Sequence, residues 1–187
     1  MQKTITSLLI AMMLALPTIG ITAPEQAGTS EQPDLSTPKG QMDVLAEKAI
    51  TETVKVVAEA GGFFPFGMVM DSESTVRIVG IGEKPSEGTT KNEIAVTLFW
   101  QLRRLLQDNP AFVAAAIIKP HNVTDEDGKS VPGIWVTVDH RDHDAWVIFL
   151  PFLEQPDGTY KVGEQPAYLP AKEPLFLPGL KQGSAKQ

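Results

Sequence analysis

Cysteine is absent from the 187-residue sequence, which excludes disulfide staples, thiolate catalysis and thiolate zinc sites together. Stability must therefore come from an ordinary apolar core. Imidazole is nearly as scarce: His121, His140 and His143 are the three histidines, little material for a metal centre that lacks thiolates. Positive charge is in deficit, with 16 Lys and Arg against 23 Asp and Glu and a net charge of −7. Such a surface repels nucleic acid and anionic lipid. No apolar run reaches the roughly 20 residues that a membrane-spanning helix needs.

What is present begins with "MQKTITSLLIAMMLALPTIGITAP". Lys3, an apolar stretch from Ile5 to Leu16, then Pro17 and small residues have the order of a secretory signal peptide. It is expected to occupy residues 1–20, with cleavage after Gly20 and a periplasmic or secreted product. Losing Lys3 with it moves the net charge from −7 to −8, and no integral membrane segment is left. Within the stretch 21–41, residues 23–41 carry Pro, Gly, Ser, Thr and Glu with Leu35 as the lone large apolar side chain. They cannot offset their ordering entropy and are read as a flexible linker. Residues 42–187 are then a single globular domain, ending in a proline-rich arm over 166–187.

Apolar residues at 42, 45, 46, 49, 50, 54, 57 and 60 predict an amphipathic helix that Gly61 and Gly62 end. "FFPFGMVM" and "TVRIVGIG" read as a hairpin, with Pro65 placing the start of its first strand at an edge or bulge. Thr90 with Glu93 forms a capping box that opens a second helix, running to about Asp108. Its apolar residues nearly encircle its first half, which predicts the more deeply buried of the two helices. "AFVAAAIIK" (111–119) reads as an inner strand, 120–133 as a loop, 134–152 as a hairpin, and Thr159–Gly163 as a last strand against 149–154. The fold class is α+β, an antiparallel sheet of five or six strands with two helices packed against it, in the order α-β-β-α-β-β-β-β.

The most conspicuous stretch is "IWVTVDHRDHDAWVIFLPF", where charged and titratable residues stand between two apolar runs. Pairing His140 with Ala145, Val138 with Val147 and Trp135 with Leu150 gives two faces. One holds Ile134, Val136, Val138, His140, Ala145, Val147 and Phe149. The other combines Trp135 and Trp146 with Thr137 and Asp139, a candidate binding surface or homodimer contact. Arg141 and Asp144 flank the tip, and aspartates such as Asp142 are natural turn formers, so ordinary hairpin chemistry explains the cluster. Two sharper readings use the same residues. His140 and His143 with Asp139 or Asp142 have ligand types that suit zinc, and His140 beside Asp142 has the makings of a general acid/base pair. No serine or cysteine elbow accompanies them. The tripeptide His140-Arg141-Asp142 also occurs in kinases, but the glycine-rich loop, the lysine strand and the DFG motif are missing.

Other motifs are weaker. Gly80-Ile81-Gly82 has Pro85 where a dinucleotide loop needs its third glycine. Asp125-Glu126-Asp127-Gly128 lacks the third early ligand and the distant bidentate glutamate of a calcium loop and reads as a solvated hairpin tip. Asn122-Val123-Thr124 fits a glycosylation acceptor, a pattern common by chance. "GGFFPFG" is either a strand that plugs the core with its phenylalanines or an aromatic lip, with Phe64 and Phe66 as candidate binding residues.

"EAGGFFPFGMVMDSESTVRIV", "VDHRDHDAWVIFLPF" and the closing "PLFLP" resemble a scattered group of bacterial proteins of unknown function. That group shares a glycine-phenylalanine-proline strand, a small hairpin, a histidine-arginine-aspartate turn and a strand ending in proline plus an aromatic. The resemblance covers about residues 42–178, and Ser74 stands where the group has a glycine. It implies a single domain and carries over no catalytic residue. The element order also resembles profilin-like and roadblock-like domains, a likeness of topology that implies no function. The expected function is an exported binding or interaction module for a protein or a small ligand, with no cofactor, no metal and no nucleic acid. The alternative is a small hydrolase or metal-dependent enzyme at the His140–Asp144 tip.

Overall fold

Among the described residues, two helices and seven strands follow one another as α1 (Pro38–Ala60), β1 (Phe66–Asp71), β2 (Val76–Val79), α2 (Lys91–Asp108), β3 (Phe112–Thr124), β4 (Ser130–His140), β5 (His143–Glu154), β6 (Tyr160–Val162) and β7 (Ala167–Pro170). The computed structural model describes residues 33–82, 86–156, 160–163 and 165–178. The expected signal peptide, most of the linker, Pro85, the Asp157-Gly158 turn and the end of the arm lie outside the described residues.

Helix α1 starts one turn before its apolar periodicity, because the capping chemistry lies upstream. Thr37 accepts from the Gly40 amide at 3.1 Å and donates its hydroxyl to the Asp34 carbonyl at 2.9 Å, and Pro38 supplies a backbone angle suited to the first turn. Gly40 is buried so closely against the Asp34 backbone that a Cβ would collide with it. Residues 38–41, expected in the linker, are therefore helical. Gly61, at φ 67°, ends α1 in the left-handed conformation. Helix α2 opens on the expected reciprocal cap, Thr90 Oγ1 accepting from the Glu93 amide while the Glu93 carboxylate accepts from the Thr90 amide.

The sheet runs β2-β1-β3-β4-β5-β6, with β7 pairing β5 as well, and every pair is antiparallel. The fold is thus the expected α+β arrangement with one strand more, because the proline-rich arm contributes β7. Strand β5 is long enough for two partners, β7 along Trp146–Phe149 and β6 along Phe152–Glu154. Pro65 lies just before β1, so an internal strand starts without asking proline for a ladder donor. The stretch 120–133, expected as loop, instead extends both strands of the β3–β4 hairpin as far as Thr124↔Ser130. Its tip is the solvated turn at Asp125, whose carboxylate accepts from the Asp127 and Lys129 amides.

Side chains alternate across a strand, and the core divides accordingly. Met68, Met70, Ala114, Ala116, Ile118, Ile134, Val136 and Val138 pack with Met42, Leu45 and Ala49 of α1. Val69, Ala115 and Ile117, one residue out of phase, pack with Leu98, Leu102 and Leu106 of α2. One helix therefore covers each face. Gly67 permits the α2 approach, since a Cβ there would stand 2.8 Å from the Leu102 side chain. Helix α2 is not the more buried helix: Val96 is 51% and Trp100 59% exposed, because a helix lying on one side of a sheet has an outer flank with nothing to cover it.

The β4–β5 register also differs from expectation. The tight turn falls on Arg141-Asp142, so His140 pairs with His143. A bulge then leaves Asp139 alone opposite Asp144 and Ala145, and beyond it Val138 meets Trp146 and Trp135 meets Phe149. One residue of slip turns every β5 side chain to the other face. Trp146 packs on the α1 side, while Trp135 stands on the α2 side with its ring 6.4 Å from Phe149. The two tryptophans share no face, so no homodimer contact is built from them together.

Candidate functional site

The charged hairpin is consumed from within. Asp139 is fully buried on the α2 side of β4, where one carboxylate oxygen accepts from the Phe176 amide at 2.7 Å and the other from the His140 amide at 2.9 Å. His140, one residue on, faces α1. Its Nδ1 accepts from the Asp142 amide at 2.9 Å, so Nε2 carries the proton and donates to Gln41 Oε1 at 2.8 Å. Gln41 in turn donates to the Leu35 carbonyl. Arg141 donates through Nη2 to the Phe112 carbonyl at 3.0 Å, and its guanidinium lies 5.1 Å from the centre of the Phe176 ring. The hairpin end thereby joins α1, the start of β3 and the C-terminal arm at Phe176.

What Asp139 and Arg141 hold is the segment Pro174-Leu175-Phe176. Leu175 and Phe176 are completely buried among Val69, Leu98, Leu102, Leu106, Ala115 and Ile117. From the other side Arg103 on α2 donates Nη2 at 2.7 Å and Nε at 3.2 Å to the Pro174 carbonyl. Both a backbone carbonyl and a backbone amide of the segment are thus met by side chains instead of a neighbouring strand. The slot between α2 and β4 treats this piece of chain as a ligand.

The remaining expected site residues do not converge on it. Asp142, His143 and Asp144 are exposed at the tip, with His143 Nδ1 3.1 Å from the Asp144 carbonyl. Among the described residues no three His, Asp or Glu side chains gather closely enough to hold a metal ion, and no helix is long and apolar enough to cross a membrane. Phe66 packs into the α1 core and meets Phe63 edge-on at 6.4 Å. Phe64 points the other way, 66% exposed, with the Lys91 ammonium 5.5 Å from its ring centre. "GGFFPFG" is therefore core plug and exposed aromatic at once. Trp135 stacks edge-on with His121 at 4.7 Å, where burial first and the Lys119 charge second hold the imidazole below its ordinary pKa. Trp146 contacts Tyr168 of β7 at 5.8 Å.

Residues missed by the sequence reading are Gln41, Arg103, Trp100 and the pair Leu175-Phe176. Trp100 lies on the outer flank of α2 with Phe99 edge-on at 5.6 Å, and the Arg103 guanidinium is 4.5 Å from the Phe99 ring centre and 5.2 Å from that of Trp100. The signal was present: Val96, Phe99, Trp100 and Arg103 recur at helical spacing on one flank, away from Leu98, Leu102 and Leu106. Comparison with protein-family models, curated proteins and solved structures gives no match. The likeness to the bacterial group therefore rests on the quoted motifs.

Proposed function

We propose that the protein is an exported binding module, periplasmic or secreted, that engages a protein partner through exposed aromatic side chains. The observation that carries this reading is Trp100: a large ring more than half exposed on a regular helix, held by Phe99 and stacked with Arg103. Trp and Arg have the composition of interface hot spots, and a Trp ring buries much area at little entropic cost. Phe64 beneath Lys91 repeats that pairing of aromatic and cation on the same chain. The hydrolase or metal-enzyme reading loses support, because Asp139, His140 and Arg141 are all engaged in tying neighbouring segments together.

The test is site-specific photocrosslinking in producing cells, with a benzophenone amino acid in place of Trp100, Phe64 or, as a control, the exposed Glu59. A discrete adduct from positions 100 or 64 that position 59 does not give, in protein lacking its first 20 or so residues, supports the reading. Indistinguishable patterns at the three positions refute the surface, and retention of the leader in cytoplasmic protein refutes export. Turnover of a substrate that His140→Ala plus His143→Ala abolishes would establish the enzyme instead.

A further inference from the structure

The geometry points to an exchangeable arm: the slot between α2 and β4 accepts Pro174-Leu175-Phe176 from a second copy of the chain as well as from its own, producing an arm-exchanged dimer. Three observations carry this beyond the binding surface on α2. The slot recognises the segment as a ligand, through Arg103 on a carbonyl, Asp139 on an amide and Arg141 over an aromatic ring. Those contacts are the same whichever molecule supplies the segment.

The chain leading to the slot is weakly held by its side chains. From Gln165 to Glu173 none is buried, and all four residues of β7 are exposed. Once β7 parts from β5, these nine residues reach roughly 30 Å when extended, enough to pass to a neighbouring molecule. Prolines at 166, 170, 174 and 178 recur every fourth residue. They fix φ and restrict the residue before each one, so a released arm stays extended and loses little further entropy on docking in trans. An emptied slot also leaves the fully buried Asp139 carboxylate without the Phe176 amide, which favours refilling by an equivalent segment.

Deleting Ala171–Glu173 tests the proposal in the full chain, because it preserves every slot residue and Leu175-Phe176 but shortens the path from β7 by roughly 10 Å. The plug then no longer reaches its own slot. Light scattering is expected to give twice the monomer mass, returning to monomer when an excess of the peptide spanning residues 171–178 is added. A monomeric deletion variant, or a dimer that the peptide leaves intact, overturns the proposal. If the deletion abolishes folding by circular dichroism, full-length Phe176→Ala takes its place. Uptake of the fluorescent peptide about tenfold tighter than by wild type, whose own arm competes, supports the exchangeable slot, and equal or absent binding refutes it. Phe64→Ala, whose ring contact is with Lys91 and not with a slot residue, leaves arm exchange unchanged, so this proposal and the exposed aromatic partner surface fail separately.

Discussion

Phe176→Ala is the most informative single perturbation of the folded state. The ring is fully buried in the α2-side core and lies under the Arg141 guanidinium. Truncating such a ring costs about 3–5 kcal/mol from lost transfer energy and the cavity left behind. Loss of the cation–ring contact adds about 0.5–2 kcal/mol. Undocking of the arm caps the total, since once the segment has left there are no more contacts to lose. With a loss of about 4 kcal/mol and a urea slope of about 2 kcal/mol per molar, the unfolding midpoint falls by about 2 M. Tyr168→Ala in the same arm is the control: its ring is 67% exposed, and losing its contact with Trp146 costs at most about 1.5 kcal/mol. Equal midpoints for the two variants, or a Phe176→Ala loss below about 1 kcal/mol, would refute the seating of the arm in the slot.

Asp139→Asn puts an amide donor where two backbone amides need acceptors, so stability drops by about 1–3 kcal/mol; an unchanged urea midpoint contradicts the assignment. Ser74 holds φ 63° in the turn after β1, the one positive φ outside glycine among the described residues. The left-handed conformation costs a non-glycine about 1–2 kcal/mol, partly offset by the entropy glycine loses, and Ser74→Gly is expected to raise the melting temperature; a lower one shows the turn to be unstrained. Gly133→Ala is expected to cost about 1–3 kcal/mol by overpacking, because its Cβ would collide with the Leu150 carbonyl and stand 2.6 Å from the Phe149 ring, and a neutral effect in chemical denaturation argues against that close approach of β5. His121 is held below its ordinary pKa of about 6.5 by burial and then by Lys119. The stability this contributes is present above the unfolded pKa and is lost as pH falls through the folded one. An NMR titration should move upward in Lys119→Gln, and a wild-type value at or above the ordinary one would contradict the buried contact with Trp135.

The elements themselves were legible. Apolar spacing marked α1 and α2, Thr90 and Glu93 marked the second cap, and short apolar runs bounded by turn residues marked β1, β2, β5 and the inner parts of β3 and β4, because these signals are local and each follows from the geometry of one helix or strand. Even the glycine implied at position 74 by resemblance agrees with the left-handed backbone found there. The sheet class, the absence of disulfides and the acidic balance likewise follow from composition and pattern alone. Three matters required the tertiary structure. The hairpin register turned on whether the tight turn sat at Arg141-Asp142 or one residue later, which was settled by His140 accepting from Asp142 and by the Arg141 amide reaching the Val113 carbonyl. Burial of α2 depended on which of its flanks met the sheet. The seat of the arm depended on partners far away in the chain: Asp139 meets Phe176 across 37 residues, Arg103 meets Pro174 across 71, and His140 meets Gln41 across 99. Pairings at such separations leave no periodicity to read, since they exist only once the sheet has brought those positions together.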